Sequence, residues 1–174
     1  MARLPILIAP NPALKAKAKS VEKVDDSVRR LLDDMLETMY AAPGIGLSGN
    51  QVGVLQRIVV LDVARENEKP QPLRLINPEL VWRSDELATY NEGCLSIPEL
   101  YADVVRPAAV KFRFLDERGK KQEMDAAGLL ATCVQHEIDH LDGILFVDHL
   151  SALKRNMILR KLSKAQKAKS ESAM

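Results

Sequence analysis

The sequence has few cysteines, few aromatic residues and no long apolar segment. Only two of its 174 residues are cysteine, which argues against a disulfide framework and for a reducing compartment. No segment approaches the roughly 18 consecutive apolar residues of a membrane span. Prolines interrupt the apolar N-terminal run, so it lacks the hydrophobic core of a secretory signal. We expect a cytoplasmic protein that makes no membrane contact.

The formal net charge of +1 gives the chain no overall attraction to nucleic acid or to an acidic membrane. The charge is unevenly distributed, since residues 151–174 carry seven Lys or Arg and only one acidic residue. A basic helix of this kind is most often a solvated surface, but basic clusters also bind phosphate backbones. With 47% hydrophobic residues, the chain is long enough for one buried core and predicts a single domain over 1–174.

Hydrophobic periodicity predicts both helices and strands. Apolar residues recur at helical spacing from about Asp25 to Tyr40, which indicates an amphipathic N-terminal helix. Short apolar or alternating runs at 58–61, 73–76 and 110–115 predict β-strands. A further helix is expected to begin near Asp125.

That further helix contains the run HEIDH at residues 136–140. His136 and His140 are four residues apart, so both lie on one helix face and can reach one divalent ion. Glu137 projects about 100° further round the helix, where it can act as a base on water without ligating the ion. This H-E-x-x-H pattern is typical of metal-activated water with a carboxylate base.

A catalytic ion usually takes three protein ligands, so the third must be found elsewhere. Downstream, the position that holds a third histidine in one large class is occupied by Phe146, and the only later glutamate, Glu171, lies in a polar tail. Upstream, Cys94 lies between a glycine and a leucine in the run EGCLS at 92–96. A thiolate with two imidazoles makes a good tetrahedral site, with water in the fourth position.

Three motifs together resemble the peptide deformylases: GIGLSGNQ at 44–51, EGCLS at 92–96 and HEIDH at 136–140. Their order and spacing match that family over nearly the whole chain. The resemblance and the periodicity predict an α+β fold, with antiparallel β-sheets packed around a central helix that carries the HExxH motif. The N-terminal amphipathic helix and a basic C-terminal helix and tail over 150–174 complete this single catalytic domain.

The resemblance implies a metallohydrolase that removes the N-terminal formyl group from formyl-methionyl nascent polypeptides. Ferrous iron is the expected physiological metal, with zinc, nickel or cobalt possible after purification. Gln51 and the backbone N–H of Leu95 are expected to stabilise the oxyanion, and Glu92 and Arg106 to pair behind the site. The family usually has two alanines where this chain has Ser48 and Gly49. The resemblance also predicts ribosome contact through the basic helix.

Substrate is expected to bind in an apolar slot beside the metal. Leu129 and Cys133 precede His136 on the metal-facing side of the helix, and Ile45 and Gly46 of the first motif complete the slot. Two alternatives stay open. One is a basic-tailed ribosome-binding or regulatory protein with a structural metal site, and the other is a metalloprotease, which the missing downstream ligand disfavours.

Overall fold

The computed structural model describes residues 2–172, and it confirms the predicted α+β architecture. These described residues form three α-helices and seven strands. In chain order they are α1 (Asp26–Ala41), β1 (Gly46–Ser48), β2 (Ile58–Leu61), β3 (Leu73–Arg83), β4 (Leu87–Cys94), β5 (Ile97–Pro107), β6 (Ala109–Leu115), β7 (Lys121–Ala127), α2 (Gly128–Leu141) and α3 (Ala152–Ser172). Residues 173–174, the end of the predicted basic tail, lie outside the described residues.

The strands form two antiparallel sheets. Five strands pair in the order β1-β2-β3-β6-β7, and β4 pairs only with β5 as a separate hairpin. Among residues 2–172, no helix combines the length and apolar character needed to cross a membrane.

The five-stranded sheet lies between α1 and α2, which explains the unbroken apolar sequence of β2. Successive strand residues point to opposite faces, so Ile58 and Val60 pack toward α1 whereas Val59 and Leu61 pack toward α2. Both faces are covered, and all four side chains are fully buried. A strand buried on both faces has no reason to alternate polar and apolar residues.

Helix α1 begins one residue after the predicted start because Asp25 caps it. The Asp25 carboxylate accepts a hydrogen bond from the backbone N–H of Val28, which satisfies one of the free donors at a helix N-terminus. The apolar stripe predicted from the sequence packs on the sheet, with Leu32, Met35 and Met39 fully buried.

Helix α2 begins at Gly128, later than the predicted Asp125, because β7 continues to Ala127 in register with β6. It is buried on nearly all sides, as its ten buried residues of fourteen show. The helix therefore brings the HEIDH run into the interior of the protein.

Strand β3 also runs further than its sequence indicated. Asn77 and Pro78 interrupt the apolar pattern, yet the chain passes through them as a bulge with Asn77 at φ 51°. The Asn77 side chain bonds the backbone N–H and C=O of Val21, which stabilises this uncommon conformation.

Gly143 turns the chain sharply at the end of α2 and sends it back past the helix. Its φ is 75°, and a Cβ at this position would overlap the backbone oxygen of Lys15. The turn is followed by a short 3₁₀ helix, Phe146–His149, which packs against the β4–β5 hairpin and α3. Only a residue without a side chain fits both requirements at Gly143.

Replacing Gly143 by alanine should therefore destabilise the protein more than the same change at Gly53. Gly53 has a similar φ of 79°, but the nearest side-chain atom to its Cβ position is Leu7 Cδ1 at 3.7 Å. Gly53→Ala should cost about 1 kcal/mol of unfolding free energy for the left-handed backbone, and Gly143→Ala about 1–3 kcal/mol more for overpacking. Urea denaturation of both variants measures the difference, and equal losses would show that the contact with Lys15 imposes no constraint.

Candidate active site

Three ligand atoms converge where the end of β4 meets α2. The Sγ of Cys94 lies 3.3 Å from Nε2 of His140, and the two histidine Nε2 atoms are 3.1 Å apart. All three atoms lie within 4.8 Å of one another. The hairpin thus supplies the sulfur, and one turn of helix supplies both nitrogens.

This donor set fits a divalent ion. Donors bound at about 2.0–2.3 Å in a tetrahedral site are separated by roughly 3.3–3.8 Å, which is close to the observed spacing. His136 donates its Nδ1–H to Glu92 Oε1 over 2.9 Å, so its Nε2 lone pair faces the other two ligand atoms. Burial lowers the pKa of His140 well below its usual value. His140 is therefore neutral, as a metal ligand must be.

Glu137 borders the same space from the next position of the helix. Its side chain is buried, and its Oε1 has no hydrogen-bond partner within the described part of the chain. Burial raises its pKa to about 7. A carboxyl group with this pKa can both accept and release a proton near neutral pH.

The first motif approaches Glu137 so closely that a side chain is excluded. A Cβ at Gly46 would overlap Oε2 of Glu137, so glycine is required for the backbone of β1 to pass the carboxylate. The backbone of the motif therefore forms one wall around the acid.

Gln51 points its amide nitrogen at the ligand cluster. Its Oε1 accepts hydrogen bonds from the backbone N–H and the hydroxyl of Ser48, at 3.0 and 3.2 Å. These donors fix the orientation of the amide, so Nε2 is directed to Cys94 Sγ at 3.4 Å and Ser96 Oγ at 3.1 Å. Ser48, one of the two departures from the usual motif, thus adds a hydrogen bond that holds Gln51.

Gly49 is the second departure from the usual motif, and the lack of room for a side chain explains it. A Cβ there would lie 2.6 Å from the backbone oxygen of Val54 and 2.7 Å from that of Gln56. These contacts are with backbone, which cannot easily move, so this loop conformation requires glycine in place of the family's alanine.

Glu92 and Arg106 are in direct contact behind the ligands. Arg106 donates from Nε to Glu92 Oε2 at 2.7 Å and from Nη2 to Oε1 at 3.0 Å, with both side chains about 5% exposed. Burial alone would raise the pKa of Glu92, but the hydrogen bonds from His136 and Arg106 outweigh it and hold the pKa below the usual value. The carboxylate therefore stays ionised and can orient His136.

An open cavity of about 560 Å³ leads from the surface to the ligands. Cys133 is buried in its wall, and burial raises the pKa of its thiol well above the usual value, so it is a poor metal ligand. Ile45 and Leu129 lie at the mouth and are 42% and 43% exposed. The predicted site residues that line the cavity are Ile45, Gly46, Gln51, Glu92, Cys94, Leu95, Leu129, Cys133, His136 and Glu137. His140 and Arg106 lie behind this wall.

Sequence reasoning missed two residues of the surrounding network. Asp139 accepts a hydrogen bond from Arg106 Nη1 at 2.8 Å, and His149, which follows the turn at Gly143, bonds Asp139 at 2.8 Å. Burial would raise the pKa of Asp139, but the bonds from His149 and Arg106 outweigh it and lower the pKa. Asp139 lies inside the HEIDH run and could have been found there. No sequence pattern pointed to His149, because its contact with Asp139 depends on how the chain turns at Gly143.

A Cys-His-His ligand set beside a buried carboxyl group on an HExxH helix defines a metal-dependent hydrolase. Residues 3–156 match the family described as polypeptide deformylase. The peptide deformylase of Phenylobacterium zucineum is 57% identical over 168 residues, which cover 97% of this chain and 99% of the relative.

Solved structures of peptide deformylases are also similar to this chain. A peptide deformylase from Legionella pneumophila superposes with a TM-score of 0.91 at 43% identity, covering 97% of this chain and 98% of its own. One from Ehrlichia chaffeensis in complex with actinonin has the same TM-score and identity, over 95% of this chain and 98% of its own. The chain belongs to the polypeptide deformylase family. It is a metal-dependent hydrolase that removes the N-terminal formyl group from nascent peptides.

Proposed function

We propose that Cys94, His136 and His140 hold the catalytic metal ion and that Glu137 is the acid–base residue. The convergence of the three ligand atoms beside the carboxyl group of Glu137, at the inner end of an open cavity, supports this assignment. A divalent ion in this position supplies the Lewis acidity that makes water nucleophilic near neutral pH.

Glu137 accepts a proton from the attacking water and later releases it to the amine. The water oxygen forms a bond to the formyl carbon, and the C–N bond of the formamide then breaks. The products are formate and a peptide with a free N-terminal amine, so one water molecule is consumed for each bond cleaved. Burial of the Glu137 carboxyl group keeps bulk water from competing for the proton.

Gln51 and the backbone N–H of Leu95 stabilise the negative charge that develops on the formyl oxygen. The side chain of Gln51 is only 1% exposed, and Ser48 holds its amide group with Nε2 toward the ligands. A donor that is already oriented needs no reorganisation during the reaction, and losing one such donor typically costs about 10²–10³ in rate.

Ile45, Gly46, Leu129 and Cys133 bind the first side chain of the substrate. The apolar walls suit an unbranched, flexible methionine side chain, and the exposed Ile45 and Leu129 leave the mouth open for the rest of the peptide. The formyl group is small enough to reach the reacting position beside Gly46 and Glu137, whereas a longer acyl group would meet the backbone there.

Ferrous iron is the proposed physiological metal. A thiolate with two imidazoles also binds zinc, nickel and cobalt, because all of these divalent ions accept nitrogen and sulfur ligands. The metal present in a purified sample then depends on availability and on oxidation during handling.

Cys94→Ala should remove or strongly weaken metal binding, because it deletes the only sulfur of the proposed ligand set. Elemental analysis of the dialysed protein measures the metal directly. Cys133→Ala is the matched control, since it removes the other thiol from the same cavity and should leave the metal in place. A fully loaded Cys94→Ala protein would show that the ligand assignment is wrong.

Glu137→Gln should retain the metal and lose about 10²–10⁴-fold in kcat on a short formyl-methionyl peptide, since an amide cannot relay the proton. Formate release and elemental analysis on the same sample separate loss of chemistry from loss of metal. Asp142→Asn makes the same carboxylate-to-amide change at the end of the same helix and should stay active. Ordinary turnover by Glu137→Gln would exclude this mechanism.

The basic helix α3 is proposed to contact ribosomal RNA as nascent chains emerge in the cytoplasm, while residues 1–174 act as a single catalytic domain. Ile158, Leu159 and Leu162 pack α3 on the core. The basic residues of the outer side are exposed, among them Lys154, Arg160, Lys161, Lys164 and Lys167. One side of the helix is therefore fixed to the enzyme, and the other presents positive charge to phosphate groups.

A Lys161→Glu and Lys164→Glu double variant should bind ribosomes more weakly at low salt. The salt dependence of binding should become shallower by about one unit of slope per lysine that contacts a phosphate. Co-sedimentation measures binding, and kcat/KM on a short formyl peptide should not change. The control is a Lys111→Glu and Lys121→Glu double variant, which makes the same charge change on the five-stranded sheet. If it lost as much ribosome binding, specific contact through α3 would be refuted.

A further inference from the structure

A continuous series of hydrogen bonds connects the surface to the metal ligand His136. His149 Nε2 lies 2.8 Å from Asp139 Oδ2, which accepts from Arg106 Nη1 at 2.8 Å. Arg106 Nη2 donates to Glu92 Oε1 at 3.0 Å, and the same oxygen accepts from His136 Nδ1 at 2.9 Å. His149 is the outermost member, with 36% of its side chain exposed.

The charged side chains in this series are not all held equally firmly. Arg106 and Glu92 are held by two mutual hydrogen bonds and are about 5% exposed, so neither can turn away without leaving a buried charge unpaired. Asp139 is 22% exposed and makes one hydrogen bond to Arg106, so its carboxylate could turn toward water. His149 binds the same oxygen of Asp139 that faces Arg106 and so opposes this rotation.

The position of His149 is fixed by the segment that follows Gly143. In the same 3₁₀ helix, the Phe146 ring stacks on the His136 ring, with centroids 6.2 Å apart and an interplanar angle of 22°. The 3₁₀ helix therefore contacts the site at two points: the Phe146 ring packs on His136, and His149 makes a hydrogen bond to Asp139.

We propose that His149 is a positioning residue, which holds Asp139 on Arg106 and thereby fixes the Glu92 carboxylate that orients His136 toward the metal. The inference rests on the proposed ligand set. His149 touches neither substrate nor ligand, so its effect should appear in metal retention as well as in turnover. Groups that orient a ligating histidine directly change metal affinity by about 10–100-fold, and His149 acts three residues further out than the direct partner Glu92.

The test measures the loss of Co²⁺ from the full-length, cobalt-loaded protein to an excess of chelator. The charge-transfer absorption between the Cys94 thiolate and Co²⁺ reports the occupied site. His149→Leu should release Co²⁺ about 5-fold faster than the unaltered protein, which is below the range for a direct partner. His149→Gln keeps a side-chain N–H donor and should restore release to within about 2-fold of the unaltered protein.

Two further variants separate positioning from general loosening. Lys15→Met breaks an exposed ion pair to Asp148 in the same 3₁₀ helix and should leave Co²⁺ release unchanged. Asp139→Ala removes the connection itself, so adding His149→Leu to it should have no further effect. Asp139→Ala alone still tests the series if His149→Leu fails to fold.

The proposal is overturned if His149→Leu releases Co²⁺ no faster than the unaltered protein. It is also overturned if His149→Gln and His149→Leu release Co²⁺ at the same rate, or if Lys15→Met speeds release as much as His149→Leu does. A full additional effect of His149→Leu in the Asp139→Ala background also overturns it. If the unaltered protein takes up Co²⁺ without a thiolate band, the ligand set itself is wrong, and this inference fails with it.

Discussion

The buried ion pair between Glu92 and Arg106 holds the site together. Both residues belong to the β4–β5 hairpin, and each makes a hydrogen bond to α2, Glu92 through His136 and Arg106 through Asp139. Removing one member of such a pair leaves an uncompensated buried charge, which typically costs about 3–5 kcal/mol. Cys94 comes from the hairpin and the two histidines from the helix, so the geometry of the ligands depends on this connection between two elements distant in sequence.

The parts of the site that could be predicted are those that local geometry determines. His136, Glu137 and His140 lie within little more than one turn of a single helix, so their relative directions follow from helical periodicity alone. The capped start of α1 and the doubly buried strand β2 were likewise readable, because capping and burial leave residue-level patterns. The family resemblance then assigned roles to Gln51 and Leu95 that no local pattern contains.

The parts that could not be predicted depend on contacts between distant segments. The β4–β5 hairpin was missed because polar and apolar residues are mixed along both strands, and its role is set by what it packs against. Asn77 and Pro78 indicated a break in β3, yet two hydrogen bonds between the Asn77 side chain and the backbone of Val21 make a bulge favourable there. His149 reaches Asp139 after the chain turns at Gly143, where the backbone lies close to that of Lys15, and no local sequence pattern indicates this approach.

The close passage of Gly46 beside Glu137 limits how the enzyme could be redesigned. In the proposed mechanism, the space next to the formyl carbon is bounded by the backbone of β1, which has no side chain to shorten at Gly46, and by the carboxyl group of Glu137. The proposed slot for the amino-acid side chain could be widened by a smaller residue at Leu129 or Ile45, which line the cavity. Acceptance of a larger acyl group would instead require the main chain of the first motif to move, so the two specificities can evolve at very different rates.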